Sequence, residues 1–310
     1  MIRPGRLWWL FRRDWARGWS ATWHDYQVCG RMKGWKNHNA KHPLQPVAVH
    51  VFTGREQFRL ARWMLASWFA WTGRNWEVVL HDDGTLDRSE TTRYLQAFTK
   101  SRLVERAEAD DRMATVLAQF PLCRQYRTRH PLGRKIFDVP VLAEQERIIL
   151  LDADVLFFSK PAEMLRWVDE GSEGCWFNQD VEEASLVDPK EAEAVWGIKL
   201  WPKVNSGVCL IYRHAIDLAF CEECLARTPM LQDNLWRVEQ TLFALCASRY
   251  GRGGLLPAEY EVSLAWNARP GAIARHYVGA VRDRFYGEGM RRLKKILLPG
   301  NGTNSHHGRA

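Results

Sequence analysis

Apolar residues recur along the chain with two spacings, which together predict strands that alternate with helices. Short apolar runs typical of buried strands occur at Val47–Thr53, Trp76–Leu80, Leu103–Glu105 and 147–151. Apolar positions at helical spacing predict helices at 56–71, 87–100, 112–127 and 135–143. This alternation is typical of an α/β fold with a mostly parallel central sheet and flanking helices. In such sheets, ligands bind beyond the carboxyl ends of the strands.

The second half of the chain is less regular. Trp176–Asp180 resembles the end of a strand, and the polar turn Lys203–Gly207 leads into a buried strand that reaches Tyr212. The remaining elements predicted there are helices at 214–226 and 236–249, a basic aromatic loop at 275–287 and a short amphipathic segment at Met290–Leu298.

Charge divides the chain into three parts. Residues 1–42 hold nine Lys/Arg against two Asp/Glu, a net +7, and residues 269–310 have the same balance. The middle, 43–268, carries a net −6. We therefore predict a basic, Trp-rich extension over 1–42, a main domain over 43–287, and a basic amphipathic segment and tail over 288–310. Basic ends are typical of anion binding to nucleic acid, anionic membrane or phosphates.

Composition narrows the class of protein further. With 46% apolar residues in 310, the chain can bury a large core. No apolar stretch approaches the ~20 residues that a membrane-spanning helix needs, and no signal peptide is visible. The seven cysteines are scattered and odd in number, as in proteins of a reducing compartment. We therefore expect a cytoplasmic protein.

Two carboxylates, Asp152 and Asp154, follow the apolar run 147–151. Residues i and i+2 of an extended chain point to the same side, so these side chains can converge. Two convergent carboxylates repel each other and require a cation, and a hard divalent ion such as Mg²⁺ or Mn²⁺ suits oxygen ligands. This pair alone is equally compatible with a helix cap or a solvated loop.

Three further motifs follow the acidic pair. In chain order they are Asn205-Ser206-Gly207, Glu239-Gln240 and His276-x-x-Gly279-x-x-Arg282. The set resembles the GT-A fold nucleotide-sugar glycosyltransferases, particularly glycosyltransferase family 8, over about residues 47–285. Members of that family show DxD, an NSG turn, an Asp-Gln pair and an HxxGxxK loop. This chain departs from the pattern with Glu239, Arg282 and an Asp283-Arg284 pair where the family has Pro-Trp.

The resemblance implies a GT-A (Rossmann-like) domain over 43–287 and a metal-dependent hexosyltransferase. Its donor would be a nucleotide sugar, expected to be UDP-linked, and transfer would retain the anomeric configuration. By the same resemblance, Asp152, Asp154 and His276 hold Mn²⁺ or Mg²⁺, and Arg282 contacts the diphosphate beside Gly279. A metal and a cation on the phosphates would stabilise the departing diphosphate.

The other site residues implied by the resemblance fall into three groups. Those expected to meet the donor nucleotide are Thr53, Gly54, Arg134, Lys135 and Asn205. Those expected at sugar hydroxyls are Asn178 and Asp180, with Asn205 shared between the two groups. Glu239 or Gln240 would face the reacting centre, and no nucleophile is assigned.

Each of these residues also has a plainer interpretation. Asn205 can satisfy a turn backbone, His276 can be an ordinary buried histidine, and the pairs Arg134-Lys135 and Glu239-Gln240 can be solvated. His81-Asp82-Asp83-Gly84 is a rival metal motif that we interpret as a turn, and Cys221-x-x-Cys224 fits a helix better than a metal.

Other functional classes remain open at this stage. A non-catalytic carbohydrate-binding protein and a nucleic-acid-binding protein are the main alternatives, although no nucleic-acid motif is present and nucleic acid is not an expected partner. A phosphatase with a DxD nucleophile is a further alternative, but Val155-Leu156 replaces the residues that usually follow its second Asp.

The basic ends suggest a partner of their own. Six of the first 35 residues are Trp, and Trp with Lys or Arg suits a membrane interface. We expect these ends to dock the protein peripherally on an anionic membrane, near a glycan or lipid-linked acceptor. Packing of the Trp-rich extension back onto the domain is the equal alternative.

Overall fold

Ten strands form the framework of the computed structural model, which describes residues 35–232 and 234–297. It also describes the separate residues Trp8, Phe11, Arg12, Asp14, Trp15, Gly18, Trp19, Thr22 and Trp23. The strands are β1 (Leu44–Thr53), β2 (Asn75–Asp82), β3 (Ser101–Val104), β4 (Arg147–Leu151), β5 (Val155–Phe157), β6 (Cys175–Gln179), β7 (Val204–Tyr212), β8 (Gly253–Leu255), β9 (Tyr260–Val262) and β10 (Ala274–His276).

Seven of these strands form one sheet in the order β3-β2-β1-β4-β7-β6-β8. Parallel pairs join β3, β2, β1 and β4, and β6 runs parallel to β8. Strand β7 pairs antiparallel with both β4 and β6, so it alone runs against the others. The amino end of β7 therefore lies beside the carboxyl ends of its neighbours. The prediction of a mostly parallel sheet is confirmed.

Within residues 35–232 and 234–297, ten helices of eight or more residues pack around the sheets. They are α1 (Phe58–Thr72), α2 (Arg88–Leu95), α3 (Arg106–Val116), α4 (Pro121–Arg129), α5 (Pro131–Leu142), α6 (Ala162–Asp169), α7 (Pro189–Trp196), α8 (Leu218–Arg227), α9 (Leu235–Tyr250) and α10 (Met290–Leu297). Shorter helical turns cover Leu117–Gln119, Arg213–Ala215, Gly279–Val281, Arg282–Arg284 and Phe285–Gly289. No helix in the described ranges is both long and apolar enough to cross a membrane.

Each face of the large sheet carries its own apolar layer. On one face, α1 and α10 pack with the three-stranded sheet β5-β10-β9 around Trp63, Trp68 and Tyr277. On the other face, α4, α5, α8 and α9 bury Phe137 and Phe243. Alternate residues of the strands point into the two layers, which explains why the strands are apolar on both sides.

The segments next to the predicted domain boundaries pack on the body. Trp35 contacts Phe69 and Phe98, with ring centroids 5.9 and 5.7 Å apart, and Asn37 is buried against Asn75. In α10, Met290 and Leu293 are also fully buried. The predicted boundaries at 42 and 287 thus fall inside segments that contribute to the packed structure.

One predicted helix was wrong in extent. The segment 112–127 is not continuous, because α3 ends at Val116 and α4 begins at Pro121. Phe120 adopts φ −124° and ψ 76°, outside the helical region. A residue before proline avoids the helical region, and Pro121 supplies no N–H to the preceding turn.

Other element boundaries in the structure also differ from the predicted ones. The helix predicted at 214–226 begins only at Leu218, where Asp217 accepts hydrogen bonds from the first backbone N–H groups. The predicted loop 275–287 contains the end of β10 and short helical turns, and the polar turn before β7 is already strand from Val204.

Candidate functional site

A cavity of about 960 Å³ opens at the carboxyl ends of β1 and β4, beside the amino end of β7. The reversed direction of β7 brings its first residues to the same edge as the ends of its neighbours. All but two of the predicted site residues line this cavity. They are Thr53, Gly54, Lys135, Asp152, Asp154, Asp180, Asn205, Glu239, Gln240, His276, Gly279 and Arg282.

Three side chains meet in a geometry that can hold a metal ion. Asp152 and Asp154 follow β4, and His276 is the last residue of β10, where the strand register places it opposite Val155. His276 Nε2 lies 3.2 Å from Asp154 Oδ1 and 3.7 Å from Asp152 Oδ2. One possible ligand atom from each residue lies within 4.8 Å of the others. Within the part of the chain that the structure describes, this is the one such group.

The surroundings of His276 fit a metal ligand. Asn205 Oδ1 lies 2.8 Å from His276 Nδ1 and also accepts a hydrogen bond from Gly207 N, so Nδ1 must be the donor. That hydrogen bond leaves Nε2 directed at the two carboxylates, as in ordinary histidine–metal sites. A Cβ on Gly207 would lie 2.2 Å from His276 Nδ1, so only glycine admits the ring there. The donor set of two carboxylates and an imidazole can hold a divalent cation.

Two basic side chains contact Asp154. Arg282 contacts Asp154 Oδ2 through Nε at 2.9 Å and Nη2 at 2.8 Å. Burial opposes the ionised form, but His276 and then Arg282 outweigh it and lower the pKa of Asp154 to about 2. Burial would lower the pKa of His276, yet the neighbouring Asp154 raises it. The site is therefore built to keep Asp154 negative.

A buried lysine joins the metal ligands to the predicted reacting centre. Lys135, on α5, is 1% exposed, and its Nζ lies 2.7 Å from Asp152 Oδ1 and 3.1 Å from Glu239 Oε1. Lys135 also donates to the backbone oxygen of Ser206, whose hydroxyl donates to Glu239 Oε2. Burial opposes the charge on Lys135, but Asp152 and Glu239 outweigh it and raise the pKa of the amine. Burial raises the pKa of Glu239.

The solvated interpretation of two pairs is wrong. Lys135, Glu239 and Gln240 are buried, and Arg134 is 9% exposed. The interpretation of His81–Gly84 as a turn is confirmed, because Asp82 accepts hydrogen bonds from the backbone N–H groups of Gly84 and Thr85.

Asn205 has a role in both the backbone and the side-chain network. Besides holding His276 and Gly207, its Nδ2 donates to Asp180 Oδ2 at 2.8 Å. It therefore satisfies a local backbone group, as the plainer interpretation held, and also links Asp180 to the metal ligands.

Thr53 and Gly54 form the β1 side of the cavity. Thr53 is 1% exposed, and its backbone oxygen accepts from Asp83 N at 3.1 Å. A Cβ on Gly54 would lie 1.9 Å from Asp83 Oδ2, so a larger residue at position 54 would have to displace the Asp83 side chain.

Two predicted residues do not line the cavity. Arg134 lies within 3.4 Å of the backbone oxygen of Asp83, and Asn178 is fully buried beneath β7, where it accepts from Val208 N. Conversely, sequence analysis gave no role to Ser206, Gly207 or Trp236. The first two belong to the recognised Asn-Ser-Gly motif, and Trp236 stands one helical turn before Glu239, a spacing that could have indicated it.

Comparison with known proteins supports a fold but supplies no sequence relative. Neither protein-family models nor the sequences of characterised proteins match this chain. Among solved structures, apo mouse xyloside xylosyltransferase 1 aligns over 76% of this chain and 98% of its own, with TM-score 0.51 and 11% identity. The apo bifunctional glycosyltransferase WbbM aligns over 80% and 50%, with TM-score 0.55 and 14% identity.

A third solved structure also aligns with this chain at low sequence identity. The galactosyltransferase LgtC, in complex with donor and acceptor sugar analogues, aligns over 75% of this chain and 87% of its own, with TM-score 0.50 and 12% identity. These likenesses, the sheet order and the acidic site after β4 define the class of fold. The chain has the GT-A fold of the glycosyltransferases, as its sequence motifs predicted.

Proposed function

We propose that this protein is a metal-dependent glycosyltransferase of the family 8 type. It transfers a hexose from a nucleotide sugar, a UDP-hexose, to a hydroxyl of a glycan or lipid-linked acceptor, with retention of configuration. The observation that supports this most directly is the convergence of Asp152, Asp154 and His276 within 4.8 Å on the wall of a 960 Å³ cavity. A cavity of this size lies at the upper end of the range for small-molecule sites.

The strand order gives the donor a direction across the cavity. Thr53 and Gly54 at β1 receive the base and ribose, and the residues after β4 receive the diphosphate. Glu239 and Gln240 on α9, beyond β7, face the sugar. Asp152, Asp154 and His276 hold a divalent ion, which when bound neutralises charge on the diphosphate oxygens.

Arg282 provides a second positive charge for the leaving group. Its side chain is 41% exposed, and it lines the cavity beside Gly279. A guanidinium has five N–H donors, and the contacts through Nε and Nη2 both go to Asp154 Oδ2, so its other donors can bind a phosphate oxygen. In the transfer, the acceptor oxygen bonds to the anomeric carbon, while the bond from that carbon to the diphosphate oxygen breaks. The electron pair stays on the nucleotide, and the acceptor proton leaves with the diphosphate.

The nucleophile needed by a DxD phosphatase is not free in this site. Asp154 is engaged on both oxygens, by His276 and Arg282, and Asp152 is paired with Lys135. The contacts favour carboxylates that hold a cation over carboxylates that attack a phosphoryl group.

Calorimetric titration of the wild-type protein tests the proposal. We expect UDP to bind in the presence of Mn²⁺ and to bind at least about tenfold more weakly without it, because an ion held by Asp152, Asp154 and His276 would supply positive charge for the diphosphate. Incubation with UDP-hexoses should release UDP. Equal UDP affinity with and without Mn²⁺ would contradict the proposal, and binding without any turnover would favour a non-catalytic carbohydrate-binding protein.

The exposed aromatic residues near the amino end support peripheral membrane binding as part of the proposal. Trp8, Phe11, Trp15, Trp19 and Trp23 are helical, recur every three or four positions, and are 44% to 83% exposed. Gly18, with φ 81°, is not helical, so Trp8, Phe11 and Trp15 precede this break and Trp19 and Trp23 follow it. A spacing of three or four residues places the aromatic residues of each group on one helical face. In the sequence, they are interspersed among the basic residues that give 1–42 a net +7, which suits an anionic lipid surface.

Vesicle flotation tests the membrane proposal. We expect the full chain to float with vesicles rich in phosphatidylglycerol, and less so with phosphatidylcholine or at high salt, because each basic residue adds about 1 kcal/mol near an anionic leaflet. Trp15→Ser/Trp19→Ser should reduce the bound fraction about tenfold or more. Trp266→Ser, which removes an exposed tryptophan of the body, is the matched control. Equal flotation of both variants and wild type would contradict a role of Trp15 and Trp19 in membrane binding.

A further inference from the structure

A half-exposed tryptophan forms part of the cavity wall near the predicted reacting centre. Trp236 lies on the first turn of α9, one turn before Glu239 and Gln240, and 50% of its surface is exposed. Asn234, just before the helix, adopts a left-handed conformation with φ 53°, which sets the direction of that first turn. An indole exposed in the wall of a cavity offers aromatic surface to a ligand, and small-molecule sites are lined mostly by apolar and aromatic side chains.

The indole is held in place from outside the cavity wall. The guanidinium of Arg237 lies 4.8 Å from the centre of the Trp236 ring, and Arg237 also reaches to within 3.9 Å of Glu182. Leu264, which is 58% exposed, lines the same cavity. A fixed aromatic ring with a second apolar side chain nearby provides a flat surface for a ligand face.

The proposed order of the donor's base, diphosphate and sugar across the sheet indicates which ligand contacts Trp236 and Leu264. In the proposed donor orientation, the base lies at β1, the diphosphate after β4, and the sugar beside α9. The place next to the donor sugar, where Trp236 stands, is where an acceptor must lie for its hydroxyl to reach the anomeric carbon.

Polar groups beside Trp236 indicate the charge of that ligand. Asp180 and Glu182 line the same cavity, and Glu182 lies 3.9 Å from Arg237, the neighbour of Trp236; carboxylates accept hydrogen bonds from sugar hydroxyls but repel an anionic sugar. Gln240 is 6% exposed and lines the cavity, and its Nε2 is buried without a hydrogen-bond partner. A buried amide donor without a partner costs free energy, and a hydrogen bond to a ligand oxygen would recover it.

We infer that Trp236 is the stacking platform of the acceptor subsite, and that the acceptor is an uncharged pyranoside whose apolar face lies on the indole. The inference rests on the proposed function and names the acceptor class of the same site. The C–H groups of one pyranose face pack against the negative face of an aromatic ring, while hydroxyls at the ring edge reach the polar neighbours.

The test measures acceptor binding separately from donor binding. Octyl glycosides of glucose, galactose, mannose and N-acetylglucosamine, below their micelle concentrations, are titrated into the full chain with Mg²⁺ and UDP and followed by saturation-transfer NMR. At least one neutral glycoside should bind and transfer saturation to its ring protons. Octyl glucuronide should bind at least about tenfold more weakly, because of repulsion by Asp180 and Glu182.

Substitutions assign the effect to one residue. Trp236→Ala should weaken the neutral glycoside at least about tenfold, and Trp236→Phe should restore most of the loss. Trp266→Ala, an exposed tryptophan outside the cavity lining, should leave glycoside affinity at the wild-type value. In Trp236→Ala, calorimetry should give the wild-type affinity for UDP with Mg²⁺.

The possible failures are distinguishable. Absence of metal-dependent UDP binding in the wild type refutes the proposed function itself. Normal UDP binding with no neutral glycoside bound, with equal affinity for the glucuronide, or with equal losses in Trp236→Ala and Trp266→Ala, overturns the acceptor inference alone.

Discussion

Replacing Asp154 with asparagine is expected to abolish the Mn²⁺-dependent part of UDP binding and to reduce UDP-hexose turnover more than about 100-fold. Asparagine keeps the shape of the side chain but removes the charge that His276 and Arg282 surround. Calorimetry with Mn²⁺ alone, and then with UDP, measures the loss directly. Asp154 is 5% exposed and is one of three possible ligands, so its replacement leaves only Asp152 and His276 in the group.

The same substitution should lower stability. The folded pKa of Asp154 is depressed to about 2, so its charge contributes stability that is present above the unfolded pKa and lost as pH falls towards 2. At neutral pH, Asp154→Asn should therefore lose about 2 kcal/mol of unfolding free energy. Asp82→Asn is the matched control, since Asp82 serves only as a turn acceptor and amide oxygen can replace it. Wild-type Mn²⁺ affinity in Asp154→Asn would refute the metal site.

Replacing Lys135 with methionine is expected to destabilise the fold by about 3–5 kcal/mol and to reduce turnover at least about 100-fold. Methionine fills a similar volume but leaves Glu239 and Asp152 without the ammonium that lies between them. Burial already raises the pKa of Glu239, and loss of the neighbouring ammonium would raise that pKa further. Denaturant unfolding measures the stability, and the pH dependence of turnover reports the protonation.

A double-mutant cycle separates charge from packing. If the loss in Lys135→Met arises from the unpaired carboxylate, Lys135→Met/Glu239→Gln should be more stable than Lys135→Met alone. Lys160→Met, which replaces an exposed lysine, should unfold at the wild-type denaturant concentration. A loss below about 1 kcal/mol in Lys135→Met would show that the buried contacts do not carry the expected energy.

Hydrophobic spacing predicted the elements that depend on local pattern and missed those that depend on distant partners. The runs at Val47–Thr53 and 147–151 are long and apolar because both faces are covered, so β1 and β4 were recognisable. The strands β5, β9 and β10 have three residues each, too few for a periodic signal, and they exist because they pair with one another. The reversal of β7 was equally hidden, since direction is not encoded in apolar spacing.

The candidate site was recognisable for a different reason. Asp152, Asp154 and His276 carry chemistry in their residue types and order, and the structure brings them together as that order implied. The burial of Lys135 could not be predicted, because its neighbours Asp152 and Glu239 come from the loop after β4 and from α9. A basic pair in a sequence looks the same whether water or two carboxylates surround it.

The antiparallel pairing of β5 with β10 brings together possible metal ligands that are far apart in the sequence. Asp154 and Arg282, in contact at this point, are 128 positions apart, and Tyr277 N donates to the backbone oxygen of Asp154 at 2.9 Å. A bound ion would close that long loop and would stabilise the folded state by about 2.7 kcal/mol at a concentration 100 times its Kd. Opening of the small sheet would then separate the three possible ligands and release the ion.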